Sequence, residues 1–224
     1  MAELIEWPMD QFGPVDISAH IHVASRSAGA AMNGVTQIIT PVMSYWRVDI
    51  TLTRERNGTN IKEFEALVSE MRGMTNVANM PICDPYKYGP GVSPNQWPFD
   101  DGTWFDDGTG FSDTSGVEPL LTTAEALAGA NELYVSLTDP VRPSLRIGDM
   151  FSVVGRLYRV VRRNNAGWVK FEPSLRVTLP AGTFLVVNPP RFYGRFIDDE
   201  QGKRVRERLR YGAPVTLSFI EAFM

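Results

Sequence analysis

The beginning of the chain shows strict alternation of apolar and polar side chains. In residues 15–23, VDISAHIHV, every second position is apolar and the positions between are polar. This is the period of a half-buried β-strand, whose successive side chains point to opposite faces. The apolar positions are Val15, Ile17, Ala19, Ile21 and Val23, and the polar ones are Asp16, Ser18, His20 and His22. Residues 34–42 and 44–55 continue the strand pattern, so we predict a β-hairpin or meander.

One good helix is predicted immediately afterwards, over residues 60–73. Apolar residues recur there at helical spacing and form a single stripe, which predicts that the helix packs across a sheet. Asn60 is the predicted N-cap with Glu63 as its capping-box partner, and Gly73 suits the left-handed position after the last turn. The stripe consists of Ile61, Phe64, Leu67, Val68 and Met71.

Composition changes abruptly between residues 80 and 116, where five prolines are interspersed with Gly, Asp, Ser and aromatic residues. Such a concentration of turn- and loop-forming residues indicates a domain boundary. Beyond it, short β-rich runs are separated by Gly, Pro and Asn turns at the close spacing typical of a small barrel or sandwich. The runs are residues 132–137, 149–163, 167–173 and 182–187.

The predicted fold class is mainly β: a β-sandwich with one packed α-helix, plus an inserted small β-barrel or sandwich domain. Residues 215–219 alternate again, so strands from both ends of the chain can share one sheet. The predicted domains are residues 1–83 together with 191–224, a connector at 84–116, and an inserted domain at 117–190.

Composition and motifs favour no catalytic or membrane role. The 224 residues include 22 basic and 26 acidic ones, so a net charge of -4 does not indicate binding to nucleic acid or to a membrane surface. No apolar run approaches the roughly 20 residues of a membrane-spanning helix, so we expect no membrane insertion. No nucleophile elbow, phosphate-binding loop or zinc-protease motif is found, so we expect no enzyme activity, no catalytic residue and no cofactor.

Histidine and cysteine give weak signals for a metal site. His20 and His22 lie two residues apart on the polar side of a predicted strand and could ligate a metal, but a solvated strand face is favoured because no third ligand is nearby. Cys83 is the only cysteine, which excludes an intramolecular disulfide. We interpret it as an inert thiol, because no base is placed beside it.

Residues 98–113, PFDDGTWFDDGTGFSD, state the pentapeptide FDDGT twice. A calcium loop, a duplicated binding hairpin and a solvated connector are the competing hypotheses. The aspartates come as adjacent pairs rather than at the alternating positions of an EF-hand, so turn formation is favoured over calcium and we expect no metal. The aromatic residues are expected to dock on a neighbouring surface, because they are costly to leave in water. They are Trp97, Phe99, Trp104, Phe105 and Phe111.

Residues 203–210, KRVRERLR, carry arginine at every second position from 204 onward. In a strand this pattern puts all of the guanidinium groups on one face. Binding to nucleic-acid phosphates competes with a solvated or intersubunit salt-bridged edge, and the acidic total charge favours the second. The candidate interaction residues are Arg204, Arg206, Arg208 and Arg210.

Several segments, read in order, resemble the distal tail protein family of long-tailed, siphovirus-like bacteriophages. They are FEALVSEMRG (64–73), CDP (83–85), RIGDMFSVVGRLYRVV (146–161), FEPSLRV (171–177) and LSFIEAF (217–223). The resemblance covers about two thirds of the chain. Met71 stands where the family usually has leucine, and residues 98–113 have no counterpart in the family pattern.

The resemblance implies a non-enzymatic virion structural protein, assembled in the host cytoplasm. Such proteins form a ring, commonly a hexamer, that joins the tail tube to the baseplate or tip hub. The first and last segments build a β-sandwich with a helix around the channel through which DNA passes, and the central segment is an outer β-domain. A carbohydrate- or surface-binding β-module, with Trp97 and Trp104 contacting a sugar, is the alternative.

Overall fold

The computed structural model of the chain describes a defined set of residues. They are 2–9, 11–23, 25–30, 32, 36–39, 44–82, 96–97, 103, 111–112, 120–136, 145–187, 189–205 and 212–223. The first half contains β1 (Leu4–Glu6), β2 (Asp16–Val23), β3 (Arg26–Ala30), β4 (Thr36–Ile39), β5 (Ser44–Leu52), α1 (Gly58–Met71), β6 (Val77–Pro81) and β7 (Gln96–Trp97). The second half contains β8 (Phe111–Ser112), β9 (Glu132–Tyr134), β10 (Met150–Val153), β11 (Arg156–Arg163), β12 (Trp168–Glu172), β13 (Arg191–Phe196) and β14 (Val215–Glu221).

Internal contacts divide the chain into two compact units. The first unit comprises Met1–Pro81, Val154–Leu157 and Arg191–Met224, and the second comprises Ile82–Val153 and Tyr158–Pro190. Residues 154–157 therefore pack with the first unit, although they lie within the predicted inserted domain. Most of the predicted connector, 84–116, lies outside the described residues.

The first unit is built on a six-stranded sheet in the order β1-β6-β13-β14-β5-β2. β1 runs parallel to β6, and the other neighbours are antiparallel. β13 and β14 come from the end of the chain and lie between β6 and β5, so both ends of the sequence complete one sheet.

One face of this sheet forms the core of the first unit. Trp46, Val48 and Ile50 on β5 are fully buried, as are Leu217 and Phe219 on β14. Phe219 lies edge-on to Trp7 at 5.5 Å and tilted against Phe196 at 4.9 Å between ring centroids. Burying each such side chain stabilises the fold by roughly 1.5–3 kcal/mol, so this apolar face contributes strongly to the stability of the unit.

Helix α1 has the predicted apolar stripe. Ile61, Phe64, Leu67 and Met71 are buried and Val68 is half-buried, whereas the remaining faces are more open. Phe64 lies edge-on to Phe12, with 5.7 Å between ring centroids. The predicted amphipathic helix is therefore confirmed in its buried face, but it begins and ends two residues earlier than predicted, at Gly58 and Met71.

The predicted caps of this helix are partly wrong. The N-cap is Asn57, whose side-chain oxygen accepts a hydrogen bond from Thr59 N at 2.9 Å. Asn60 lies inside the first turn, where its side-chain nitrogen donates a hydrogen bond to the carboxylate of Glu55 at 3.1 Å. Glu63 accepts from Gln11 rather than closing a capping box.

At the other end of the helix, Arg72 is the left-handed C-cap and Gly73, at φ 60°, shares that conformation as predicted. Position 73 needs glycine because a Cβ there would lie 2.2 Å from the carboxylate of Asp199.

A tight turn between β10 and β11 belongs to the first unit. Val154 and Gly155 both have positive φ, at 50° and 71°, as in the turns that match the twist of antiparallel strands. Gly155 lies against the ring of Tyr193, where a Cβ would approach to 2.2 Å. Its carbonyl accepts from Tyr193 N at 3.1 Å, and the Leu157 carbonyl accepts from the indole nitrogen of Trp46 at 2.6 Å.

The second unit has a four-stranded sheet in the order β10-β11-β12-β9. Its core contains the aromatic side chains Phe151, Tyr158 and Phe171, with ring centroids 5.3–5.6 Å apart. Isolated bridges, such as Leu121 to Phe184, add to the pairing. A mainly β protein with one helix and a second β-rich unit is thus what the described part of the chain shows, and the predicted fold class is confirmed.

Candidate interaction surfaces

Strands β3 and β4 form a two-stranded sheet of their own. Its strands pair only with each other among the described strands. Ile38 and Ile39 are 67% and 63% exposed, and as consecutive strand residues they point to opposite faces. Met32, near the tip, is fully exposed. Both faces of the hairpin therefore offer apolar side chains to solvent.

Strand β2 forms one edge of the six-stranded sheet, with β5 as its neighbour. The predicted alternation is confirmed, since Ile17, Ala19 and Ile21 are half-buried and the polar positions are exposed. Val15 and Val23, at the two ends, are 59% and 46% exposed. An eight-residue edge with an incompletely covered apolar side is a typical site of pairing with another chain.

The aromatic residues predicted as docking groups are described only in part. Trp97 and Phe111 are register partners in the short β7–β8 ladder, which brings their backbones together. Phe99, Trp104 and Phe105 lie outside the described residues, as do the paired aspartates. Docking of this segment, and its use in sugar binding, stay predictions.

Arg204 lies in a different setting from the predicted strand face. Arg204 and Val205 lie outside the strands, so the one-faced arrangement that a strand would give does not apply to these two residues. Arg206, Arg208 and Arg210 lie outside the described part. The Arg204 guanidinium lies 5.1 Å from the centroid of the Phe64 ring and donates to the carbonyls of Ala213, at 2.8 Å, and Thr53. Burial lowers its pKa, opposed by the charges of Glu55 and Glu65. These local contacts hold Arg204 to its own unit, which alternation along the sequence did not predict.

Glu221 is a buried carboxylate at the end of β14, 5% exposed. One oxygen accepts from the backbone nitrogen of Trp46 at 3.1 Å, and the other lies 3.8 Å from the guanidinium of Arg156. That guanidinium also lies 5.3 Å from the centroid of the Phe223 ring. Glu221 and Phe223 line a shallow depression with Tyr45, Arg195 and Ile220. Because the carboxylate is held by a backbone donor and a cation, the cluster fixes the end of the strand.

The histidines lie on the exposed side of β2, where His22 contacts Tyr45 with 4.9 Å between ring centroids. Among the described residues, no group of three His, Cys, Asp or Glu side chains is placed to hold a metal ion. Cys83 lies outside the described residues. No helix within the described ranges is both long and apolar enough to span a membrane.

Sequence reasoning missed an aromatic pair on the second unit. Trp168 on β12 and Tyr134 on β9 are register partners, on the face that points away from the core. In the sequence, each of the two aromatic residues occupies a polar position of an alternating strand. That alone does not bring them together, because 34 residues separate them and the pairing of β9 with β12 is not visible in the sequence.

No protein-family model matches the chain, and a search of curated proteins finds no match either.

Proposed function

We propose that this chain is a ring-forming structural protein of a bacteriophage tail, a distal tail protein that joins the tail tube to the baseplate or tip hub. In this role it is a non-enzymatic virion component, assembled in the host cytoplasm. Its partners are further copies of itself and the neighbouring tube and hub proteins, and DNA meets it only by passing through the channel.

The observation that carries the proposal is the exposed β3–β4 hairpin. A two-stranded hairpin is at best marginally stable alone in water, and this one exposes apolar side chains on both faces. Residues 26–39 contain a single charged side chain, Arg26, so little repels an apolar partner surface. A hairpin of this composition fits a subunit interface, where a neighbouring copy covers it.

The architecture of the first unit supports the same proposal. The resemblance implies that the first and last segments of the chain build the ring-forming domain, and here both segments contribute strands to one sheet. Contact between the hairpin of one copy and a different surface of the next is a heterologous interface, which generates a ring when the rotation closes.

The test is the assembly state of the purified protein, measured by light scattering after size exclusion and by negative-stain electron microscopy. We expect rings for the wild-type chain and monomers for an Ile38→Asp/Ile39→Asp variant, because buried charges would oppose the interface. Leu127→Asp is the matched control: Leu127 is 64% exposed on the second unit, and this variant should keep the ring. A wild-type chain that stays monomeric at high concentration, with no rings on the grid, would contradict the proposal.

A further inference from the structure

The outer face of the second sheet carries an aromatic platform. Trp168 and Tyr134 lie directly opposite each other on neighbouring antiparallel strands, so their Cβ atoms are about 4.5–5.5 Å apart. Tyr134 is 51% exposed, and Trp168 is half-buried. Their chain neighbours Leu133 and Val169 point into the core, which fixes the two rings on the outer side.

Contacts within the face hold the tryptophan in place. Its indole nitrogen donates to Glu132 at 3.2 Å, and its backbone nitrogen donates to the side chain of Asn164 at 3.0 Å. Glu132 in turn lies 4.0 Å from the Lys170 ammonium. Because the indole N–H is already satisfied, the tryptophan offers an external ligand its ring surface rather than a hydrogen bond.

Two cations face each other beside this platform. Arg162 on β11 and Lys170 on β12 are register partners next to an irregularity of the ladder between Val160 and Arg162, and like charges on opposed strand positions destabilise a sheet. Arg162 is exposed and has no partner among the described residues, while Lys170 pairs with Glu132, its register partner on β9, at 4.0 Å. An anion bound between the two would remove the repulsion. Lys170 lies two residues from Trp168 along the strand, about 6.8 Å, which is close to the span of one sugar ring with an acidic substituent.

We propose that this face binds an anionic sugar, a pyranose carrying a carboxylate or a phosphate. The apolar side of the sugar ring packs on Trp168 and Tyr134, and the acidic group lies between Arg162 and Lys170, where charge-assisted hydrogen bonds form. Glu132 accepts hydrogen bonds from sugar hydroxyls. A phosphodiester has no hydrogen-bond donor to offer this carboxylate, whereas a sugar offers several hydroxyls, so the carboxylate favours the sugar. Binding at this site is independent of ring assembly.

Isothermal titration calorimetry of the whole chain tests the proposal with four probes: trigalacturonate, glucose-6-phosphate, the neutral methyl ester of trigalacturonate, and a short oligothymidylate. The two acidic sugars separate a carboxylate ligand from a phosphate ligand. Arg162→Gln and Lys170→Gln remove the cations, and Tyr134→Ala removes half of the platform. Lys203→Gln, at a side chain 70% exposed on the first unit, is the matched charge control.

We expect at least one acidic sugar to bind, with the affinity falling about tenfold in each of Arg162→Gln and Lys170→Gln. Tyr134→Ala should also weaken binding, the ester should bind at least tenfold less tightly than the acid, and Lys203→Gln should change nothing. Unchanged melting temperatures confirm that the variants are folded. Failure of both acidic sugars to bind at millimolar concentration, equal binding of acid and ester, or unaltered affinity in Arg162→Gln would overturn the proposal. Tighter binding of oligothymidylate would assign the face to nucleic acid instead.

Discussion

Glu55 shows how one side chain organises the start of helix α1. One of its oxygens accepts from the backbone nitrogens of Arg56 and Asn57, both at 2.7 Å, and the other accepts from Asn60. The hydrogen bond from Asn57 is the largest effect and lowers the pKa of this carboxyl; burial is the next largest and opposes it, and the hydrogen bonds from Asn60 and Arg56 and then the charge of Arg204 lower the pKa further. The ionised form is therefore favoured by folding.

This shift predicts how stability depends on pH. The folded pKa lies below the ordinary value of 4.5, so the contribution of Glu55 is fully present above that value and is lost as pH falls through the folded pKa. Urea unfolding should show that wild type has a larger free energy of unfolding than Glu55→Gln near neutral pH, and that this difference (the gap) disappears in acid. Glu70→Gln, at an exposed position of the same helix, should show no such trend. A gap that is constant with pH would mean that ionisation of Glu55 plays no part.

The local setting of charged residues was the least predictable feature at this scale. Alternation in residues 203–210 suits a strand, but the guanidinium of Arg204 is engaged by Phe64 and Thr53, which are distant in sequence, and by Ala213, nine residues further along the chain. Long-range partners decide where a flexible side chain lies, and a periodic pattern carries no information about them.

At the scale of elements, helix α1 depends on a cap that the apolar stripe could not locate. Both Asn57 and Asn60 are good cap residues, and the choice is made by Glu55, which engages Asn60 and leaves Asn57 to accept from Thr59.

Removing the true cap should lower stability measurably. Asn57→Ala leaves the Thr59 N–H without its acceptor, and we expect a loss of about 1 kcal/mol in the free energy of unfolding. Asn57→Asp keeps an acceptor at the same place and should retain most of the stability. Chemical denaturation followed by tryptophan fluorescence measures both. Equal loss in the two variants would show that the cap hydrogen bond is not the cause.

Whether a segment forms a strand or a helix was predictable where its apolar residues recur with a single period. β2 and α1 follow their patterns because one side of each is covered and the other is not. The separate existence of the β3–β4 hairpin was not predictable, since its residues fit a strand equally well inside or outside the main sheet. Likewise, the platform of Trp168 and Tyr134 depends on strand register, which is decided by the packing of the second core.

At the scale of the whole molecule, assembly should be visible in thermal stability. Partners that bind only folded chains raise the melting temperature as protein concentration rises. Differential scanning fluorimetry over a wide concentration range should show this rise for wild type and a flat response for Ile38→Asp/Ile39→Asp. A flat response in the wild type as well would argue that the exposed hairpin has no partner among copies of this chain.

The pairing of β6 with β13 has a consequence for how such a protein can diversify. Pro81 and Arg191 are register partners, so the chain leaves the sheet and returns to it at adjacent positions on neighbouring antiparallel strands. Recombination could therefore replace residues 82–190 with another domain whose ends are equally close together. Without any inserted domain, a short hairpin turn would suffice to join β6 and β13. The exchange is constrained at one point: Trp46 would lose the Leu157 carbonyl that accepts from its indole nitrogen. A replacement domain must provide another hydrogen-bond acceptor for the indole nitrogen of Trp46, or Trp46 must be substituted at the same time.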